Sequence, residues 1–237
     1  METLINKIIN ADCMDILKQL PDKCIDLVVT SPPYNIGNVH HTGNKRHTPY
    51  TDDMDEQEYQ NWQIKVLNEL QRVLKDTGSI FYNHKNRIKD GFTISPYEWI
   101  LKTNLRIKQE ITWINGSQNF DKIRFYPMSE KIFWLSKSNV KINNVLGLSD
   151  VWGLDDMLPE KNNVIHKRAF SVKFALTFIE VASNQNDLVL DCFSGSGTTA
   201  IACSELKRRF ICIEKDKEYW QKSVERLENY NKQLKLF

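Results

Sequence analysis

An apolar run that ends at two adjacent prolines is the feature that most constrains what this chain can fold into. Residues 25–30, Ile-Asp-Leu-Val-Val-Thr, have the composition of a buried strand. The tetrapeptide 31–34, Ser-Pro-Pro-Tyr, follows directly. Its prolines exclude further helix or sheet pairing, so a rigid turn stands at the carboxyl end of the strand. Because open α/β sheets place their sites at such strand ends, the sequence predicts a functional site here.

This turn carries groups that can hold a flat heteroaromatic ring bearing an amino group. The Ser31 oxygen and the Pro32 carbonyl can accept the two amino hydrogens. Tyr34 offers an aromatic ring on which a base can stack. The candidate catalytic residues are therefore Ser31, Pro32, Pro33 and Tyr34.

A second apolar run, far downstream, leads into a glycine-rich turn. Residues 187–191 predict a buried strand, the turn contains Gly195 and Gly197, and a helix is predicted over 198–206. Residues 209–214 predict the next strand, which ends in Glu214, 17 residues after Gly197. Strand, glycine turn, helix, strand and acid form half of a nucleoside-binding unit, in which the acid accepts from the ribose hydroxyls.

Together the two motifs resemble the S-adenosylmethionine-dependent DNA amino-methyltransferases, which methylate the exocyclic nitrogen of adenine or cytosine. The resemblance covers nearly the whole chain, and the catalytic motif precedes the cofactor motif, which is the permuted order of that family's β group. It implies a Rossmann-like methyltransferase fold, an α/β doubly wound and mostly parallel sheet. It also implies S-adenosylmethionine as the cofactor, and a base flipped out of the duplex as the substrate.

The resemblance also assigns the segments that hold the cofactor. Residues 191–199 are similar to the family's cofactor loop, with Cys192 where proline is usual, and residues 11–13 look like the segment that touches the cofactor's adenine. Residues 166–171 are similar to the segment that holds the methionine end, with Ser171 where a proline is common. The candidate cofactor-binding residues are Asp12, Cys13, Phe170, Asp191, Phe193, Gly195, Gly197, Thr198 and Glu214.

Other kinds of site fit the residues less well. A phosphate loop needs a lysine before its Ser or Thr, and Thr198 follows a glycine. A nicotinamide site explains neither the Pro-Pro-Tyr turn nor the permuted order. Carbon-5 methylation of cytosine needs a Pro-Cys pair that the chain lacks, and the five scattered cysteines indicate neither zinc nor disulfides. We expect no metal. A non-catalytic DNA-binding module of the same fold, or a methyltransferase acting on RNA or protein amides, stays open as an alternative.

We expect one methyltransferase domain over residues 1–237. A chain of 237 residues, of which 41% are hydrophobic and 26% charged, suffices for one core. Two polar stretches, 36–55 and 137–165, are predicted to be dispensable for the sheet. We expect both to contact DNA, with 137–165 as a small target-recognition insertion.

Helices are predicted over 14–20, 56–74, 97–102 and 171–183, and strands over 79–83, 106–114 and 131–136, with residues 75–78 ending the long helix.

The target base and the partners follow only from the resemblance. Ser-Pro-Pro-Tyr is commoner in N4-cytosine enzymes, whereas Asn35 is frequent among adenine enzymes of the permuted group. Cytosine is therefore slightly favoured and adenine stays open. Double-stranded DNA is the expected partner, and a homodimer and a cognate restriction endonuclease are both compatible with the resemblance. No apolar run approaches the ~18 residues of a membrane span, so we expect a cytoplasmic protein. The resemblance implies a bacterial, archaeal or phage origin.

Overall fold

The computed structural model describes residues 1–37, 52–114, 123–143, 148–153 and 171–234 of the chain. In the part described, the secondary structure runs β1 Lys7–Asn10, α1 Cys13–Leu17, β2 Ile25–Thr30, α2 Glu56–Val73, β3 Leu74–His84, β4 Arg87–Lys89, β5 Phe92–Ile94, α3 Tyr97–Ile100, β6 Arg106–Ile114, β7 Ser129–Ser136, β8 Val151–Trp152, α4 Val172–Ala182, β9 Leu188–Asp191, α5 Thr198–Glu205, β10 Arg209–Glu214 and α6 Lys217–Leu234.

Eight of the described strands form one sheet in the order β1-β10-β9-β2-β3-β7-β6-β8. The first five run parallel, β7 is antiparallel to both β3 and β6, and β8 is parallel to β6. The predicted mostly parallel, doubly wound sheet is confirmed. From β2 the chain proceeds through α2 to β3 on one side, and from β9 through α5 to β10 on the other. The switch point of the sheet therefore lies between β2 and β9, where such sheets bind ligands.

Helices cover both faces of the sheet, which is why its central strands are apolar along their whole length. In β2, Leu27 and Val29 join the core beneath α4, α5 and α6, whereas Val28 joins the core beneath α1, α2 and α3. All three side chains are at most 1% exposed. Parallel strands buried on both faces lose the polar alternation of half-exposed strands. This is the reason that the run 25–30 could be recognised as a strand.

Several element boundaries differ from the predictions, and the largest difference lies at the start of β3. Helix α1 ends at Leu17 rather than at residue 20, and α3 ends at Ile100 rather than at residue 102. Residues 75–78, predicted to end the long helix, belong to β3, whose register against β2 shifts between Ile25 and Leu27. Asp26 sits at this irregularity, where its carboxylate pairs with Lys75 Nζ at 2.6 Å and accepts from the Leu188 amide at 3.0 Å.

The stretch 137–165 is in part built into the sheet. Val151 and Trp152 form β8, which pairs with Thr112 and Trp113 of β6, and Val140 and Trp152 are buried in the core. The prediction that the sheet does not need this stretch is wrong for these residues. Residues 144–147 and 154–165 lie outside the described residues, as do 38–51. None of the helices that the structure describes has the length and apolarity required to span a membrane.

Gly78 is required by the close approach of β3 to β2. A Cβ atom added at Gly78 would lie 2.7 Å from the Asp26 carbonyl oxygen and 2.7 Å from Leu74 Cδ1. Because the first of these neighbours is backbone, Gly78→Ala should lower the free energy of unfolding by about 1–3 kcal/mol. Urea unfolding measures this change, with Thr77→Ala as the exposed control, expected within about 0.5 kcal/mol of wild type. Equal midpoints for Gly78→Ala and wild type would contradict the predicted overlap.

Candidate active site

A cleft of about 620 Å³ opens at the carboxyl ends of the parallel strands, where the two sequence motifs meet. Its walls are the segments 11–13, 31–35, 192–196 and 213–217, which follow β1, β2, β9 and β10, together with side chains from α2 and α6. The cleft brings together ten of the predicted site residues, namely Ser31, Pro32, Pro33, Tyr34, Asp12, Cys13, Phe193, Gly195, Thr198 and Glu214. Phe170 lies outside the described residues.

Asp191 was predicted to contact the cofactor, but it is 1% exposed and is not among the lining residues of the cleft. Its Oδ1 accepts from Thr30 Oγ1 at 2.9 Å and from the Phe193 amide at 3.1 Å, and its Oδ2 accepts from Thr199 Oγ1 at 2.6 Å. Burial raises the pKa of Asp191 to about 6. The carboxyl group therefore joins the end of β2 to the glycine turn after β9, and supports that turn from outside the cleft.

The glycine turn is shaped by its own backbone and by Glu214. Gly195 and Gly197 have φ values of +49° and +76°, which L side chains rarely adopt. The Gly195 amide donates to Glu214 Oε2 at 2.8 Å, and the Asp216 amide donates to Oε1 at 2.7 Å. Burial raises the pKa of Glu214. Each carboxylate oxygen keeps acceptor capacity toward the cleft, as binding of ribose hydroxyls requires.

Asp12 and Cys13 form the opposite edge of the cofactor region. Asp12 caps α1 by accepting from the Met14 amide at 2.9 Å, and it pairs with Lys215 Nζ at 3.0 Å. Partial burial opposes ionisation, but these two partners together lower the pKa of Asp12. Burial raises the pKa of the Cys13 thiol to about 12, so the thiol stays protonated and packs as a small apolar group.

The Ser31–Tyr34 turn is linked to two side chains that sequence reasoning missed. Tyr34 Oη lies 2.9 Å from Ser31 Oγ and 2.8 Å from Glu130 Oε2. Asn83 Nδ2 donates to Tyr34 Oη at 2.9 Å and to Glu130 Oε2 at 3.0 Å. Burial, and then the neighbouring Glu130, raise the pKa of Tyr34 well above its usual value. The only sequence signal for Asn83 and Glu130 is a polar residue at the end of an apolar strand.

A buried network holds the backbone of the same turn from below. Tyr59 Oη donates to the Pro33 carbonyl at 2.7 Å and accepts from Gln63 Nε2 at 2.8 Å. His84 Nε2 lies 2.7 Å from Tyr59 Oη, and His84 Nδ1 lies 2.9 Å from the Lys85 amide nitrogen and 2.8 Å from the Lys85 carbonyl oxygen. Tyr59 thus uses its single hydrogen on Pro33, which fixes the turn against α2.

The loop between β2 and α2 is closed at its stem by Asn35 and Asp52. The Asn35 amide donates to Asp52 Oδ1 at 2.6 Å, and the Asn35 side chain exchanges two hydrogen bonds with the Met54 backbone, at 2.6 and 3.0 Å. Asn35 has a φ of +54°, a conformation that asparagine tolerates. Within the residues that the structure describes, no group of three or more His, Cys, Asp or Glu side chains could hold a metal ion.

The fold and the cleft define a class of nucleoside-dependent transferase, and comparison with known proteins identifies the family. Residues 25–225 match the N6/N4 methylase family, described as DNA methylases, and the chain belongs to it. It is a DNA methyltransferase that transfers a methyl group from S-adenosylmethionine to an exocyclic amino nitrogen of DNA.

Individual relatives agree with this assignment. The chain is 28% identical to the type II methyltransferase M.BglII from Bacillus subtilis over 250 residues, which cover 91% of this chain and 67% of the relative. It is 30% identical to M.HpaI from Haemophilus parainfluenzae over 247 residues, covering 94% and 74%. Among solved structures, the cytosine-N4-specific PvuII DNA methyltransferase has a TM-score of 0.74 at 22% identity, covering 95% of this chain and 93% of that one.

Glu214 provides a direct test of the cofactor region. Glu214→Ala removes the carboxylate that is predicted to accept from the ribose hydroxyls, and it frees the Gly195 amide from its partner. We expect the affinity for S-adenosylmethionine to fall by about 1–3 kcal/mol, the usual effect of losing hydrogen bonds to a charged group. Isothermal titration calorimetry measures it, and the exposed Glu218→Gln, outside the cleft, is the control. Unchanged affinity in Glu214→Ala would show that this acid does not contact the cofactor.

His84 makes the turn sensitive to acid. Burial lowers the pKa of His84 from 6.5 to about 3, so the folded protein holds the ring neutral. The stability that depends on the neutral ring is fully present above about pH 6.5 and is lost as the pH falls from there toward 3. We expect His84→Gln to be less stable than wild type at pH 7.5, with the difference shrinking between pH 6.5 and 4. Thermal melts across this pH range measure it, and a constant difference would contradict the prediction.

Proposed function

We propose that this chain methylates N4 of cytosine, with the Ser31–Tyr34 turn holding the flipped base and the glycine turn with Glu214 holding the cofactor. The observation that carries the proposal is the single cleft that both motifs line. Its volume of about 620 Å³ lies within the range of small-molecule sites. The residues that line the cleft also suit a nucleoside. Glu214 can accept from ribose hydroxyls, and the Gly195 backbone, which has no side chain, can approach the nucleoside closely.

The chemical task of the turn is to make a poor nucleophile react. The lone pair of an exocyclic amino nitrogen is delocalised into the ring. Ser31 Oγ and the Pro32 carbonyl would accept its two hydrogens and draw the nitrogen toward tetrahedral geometry, which frees the lone pair. When bound, S-adenosylmethionine would supply the methyl group from its sulfonium centre. Alignment of the two reactants by a rigid site can contribute about 7–11 kcal/mol to the barrier reduction.

Aromatic side chains in the cleft suit a flipped base. Tyr34 packs on the neutral His84 ring, with centroids 4.6 Å apart, and its hydroxyl is held by Ser31 and Glu130. Trp62 and Phe193 also line the cleft, with their ring centroids 5.6 Å apart. A base taken out of the duplex loses its stacking energy, and rings in the site offset this loss. In this proposal Tyr34 provides the stacking surface beside the acceptors.

Three observations support cytosine as the target. Ser31 occupies the first position of the tetrapeptide, and Ser-Pro-Pro-Tyr is commoner in the N4-cytosine enzymes of the family. The structurally similar PvuII enzyme is cytosine-N4-specific. Asn35, the residue that favoured adenine, engages the Met54 backbone and so has a structural task in closing the loop stem. Adenine N6 is the alternative, and mass spectrometry of the modified nucleoside distinguishes the two.

The DNA surface and the biological partners are also part of the proposal. We expect residues 36–55, with Lys45 and Arg46, to close over the flipped base and meet phosphates, and the parts of 137–165 outside β8 to contact the groove. M.BglII and M.HpaI are type II methyltransferases, which supports pairing with a cognate restriction endonuclease. A homodimer and a bacterial cytoplasmic location stay predictions.

The modified base can be identified directly. Purified protein is incubated with S-adenosylmethionine and unmethylated plasmid DNA, and the digested nucleosides are separated by mass spectrometry. We expect N4-methylcytosine, and none from the Ser31→Ala/Tyr34→Ala double variant, whose cofactor affinity is measured in parallel as the folding control. N6-methyladenine would reassign the base, and 5-methylcytosine would contradict the mechanism. Methyl transfer to RNA or protein alone would contradict the substrate, and cofactor binding without turnover on varied DNA would indicate a non-catalytic module.

A further inference from the structure

The hydrogen-bonded side chains beside Ser31 form a chain whose direction is fixed by their donors. An ionised carboxylate only accepts, so the 2.8 Å contact between Tyr34 Oη and Glu130 Oε2 uses the tyrosine hydrogen. Tyr34 has no other hydrogen on its oxygen, so the 2.9 Å contact with Ser31 Oγ uses the serine hydrogen. The chain therefore runs from the Ser31 hydroxyl to the Tyr34 hydroxyl to the Glu130 carboxylate.

Asn83 enforces this direction. Its side chain is 3% exposed, and Nδ2 supplies hydrogens to Tyr34 Oη at 2.9 Å and to Glu130 Oε2 at 3.0 Å. Both acceptors then carry a donor from the same amide, which holds the tyrosine oxygen and the carboxylate in place. Asn83 Nδ2 also lies 3.4 Å from Ser31 Oγ and can donate to one of its two lone pairs. Since the Ser31 hydrogen points to Tyr34, the other lone pair of Ser31 Oγ is left for the cleft. This is the arrangement that an acceptor for an amino hydrogen requires.

We propose that Glu130 is the final acceptor of the proton that the target nitrogen must lose, and that Ser31 and Tyr34 relay this proton. The inference rests on the proposed role of Ser31 as acceptor for the amino group. It adds a residue and a route that account for the charge left by methyl transfer, because the nitrogen gains a fourth bond and a positive charge as it takes the methyl group.

Atoms and charges are conserved through methyl transfer and the proton relay. The nitrogen lone pair forms the N–CH₃ bond, the S–CH₃ bond breaks with its electron pair left on sulfur, and the nitrogen becomes cationic. One N–H proton moves to Ser31 Oγ, the Ser31 proton moves to Tyr34 Oη, and the Tyr34 proton moves to Glu130 Oε2. The products are a neutral methylated base, neutral Ser31 and Tyr34, and a protonated Glu130. Glu130 is only partly buried, so the proton can then pass to water.

The charges around the relay suit this direction of transfer. Burial and Glu130 raise the pKa of Tyr34, so the tyrosine passes a proton on and does not hold a negative charge. From β3, the His84 ring under Tyr34 is held neutral, and Lys85 Nζ lies 5.7 Å from the Tyr34 ring centroid. The neighbouring Lys131 on β7 points to the other face of the strand, where it pairs with Glu110 of β6 at 2.8 Å.

Glu130→Gln tests the relay, because glutamine still accepts from Tyr34 but is not a base. The measurement is the single-turnover rate of methyl transfer in a preformed complex with DNA and S-adenosylmethionine, between about pH 5.5 and 9. We expect a rate about 100-fold below wild type, with unchanged affinities for cofactor and DNA. We also expect the pH–rate profile to differ from that of wild type, because glutamine cannot take up a proton, and partial recovery of the rate in Glu130→Asp. Glu110→Gln, a carboxylate variant of the adjacent strand, should keep the wild-type rate and profile.

Tyr34→Phe interrupts the relay while keeping the ring, so it should be slowed as strongly as Glu130→Gln. The double variant should be no slower than the slower single variant, because both changes break one chain. A wild-type rate and pH profile in Glu130→Gln would overturn the relay, as would additive losses in the double variant. If Glu130→Gln does not fold, Tyr34→Phe and Glu130→Asp decide by the same profile. No methylated base from wild-type protein would instead count against the proposed function.

Discussion

The hydrogen bonds to the buried Asp191 carboxyl group are the interaction on which the rest of the site depends. Thr30 is the last residue of β2 and Thr199 lies in the first turn of α5, and both donate to this one group, at 2.9 and 2.6 Å. An ionised carboxylate so deeply buried is unfavourable without partners, which is why burial raises the pKa of Asp191. Because β2 and β9 flank the switch point of the sheet, this group sets the position of the Ser31–Tyr34 turn relative to the glycine turn after β9. In the proposed function this relative position aligns the base with the cofactor, and such alignment is a large contribution to methyl transfer.

The turn at Ser31–Tyr34 is equally dependent on what lies behind it. Tyr59 directs its hydroxyl hydrogen to the Pro33 carbonyl, and Gln63 links Tyr59 to Tyr82, whose hydroxyl donates to Gln63 Oε1 at 2.8 Å. Trp99 Nε1 donates in turn to Tyr82 Oη at 3.1 Å. A fully connected polar network in a core holds one geometry, because any rearrangement leaves a buried donor or acceptor without a partner. In the proposed function, the acceptors for the amino group are in this way fixed before a base binds.

Sequence reasoning succeeded where the physics is local and failed where it is not. The strands β2, β9 and β10 and the helices α2, α4 and α5 follow from apolar runs, caps and glycines, all of which act within a few residues. The role of Asp191 could not be predicted, because its partner Thr30 lies 161 residues away. Glu130 could not be predicted for the same reason, since the antiparallel pairing of β7 with β3 brings it to Tyr34, 96 residues earlier. Residues of this kind complete a site through contacts that depend on the sheet topology, and local sequence patterns do not reveal such contacts.

The sheet also explains why the permuted order of motifs has no chemical consequence. The four segments that line the cleft follow β1, β10, β9 and β2, which are adjacent parallel strands in the sheet although they are distant in the chain. Parallel strands deliver all their carboxyl ends to one edge, so a site at that edge depends on which strands are neighbours and not on the order in which they are connected. A chain in which β2 precedes β9 and β10 can therefore build the same cleft as a chain that connects these strands in another order. The segment that joins β2 to α2 follows the Ser31–Tyr34 turn directly. In the proposed function the turn holds the flipped base, and this adjacency is the reason that residues 36–55 are expected to meet the DNA.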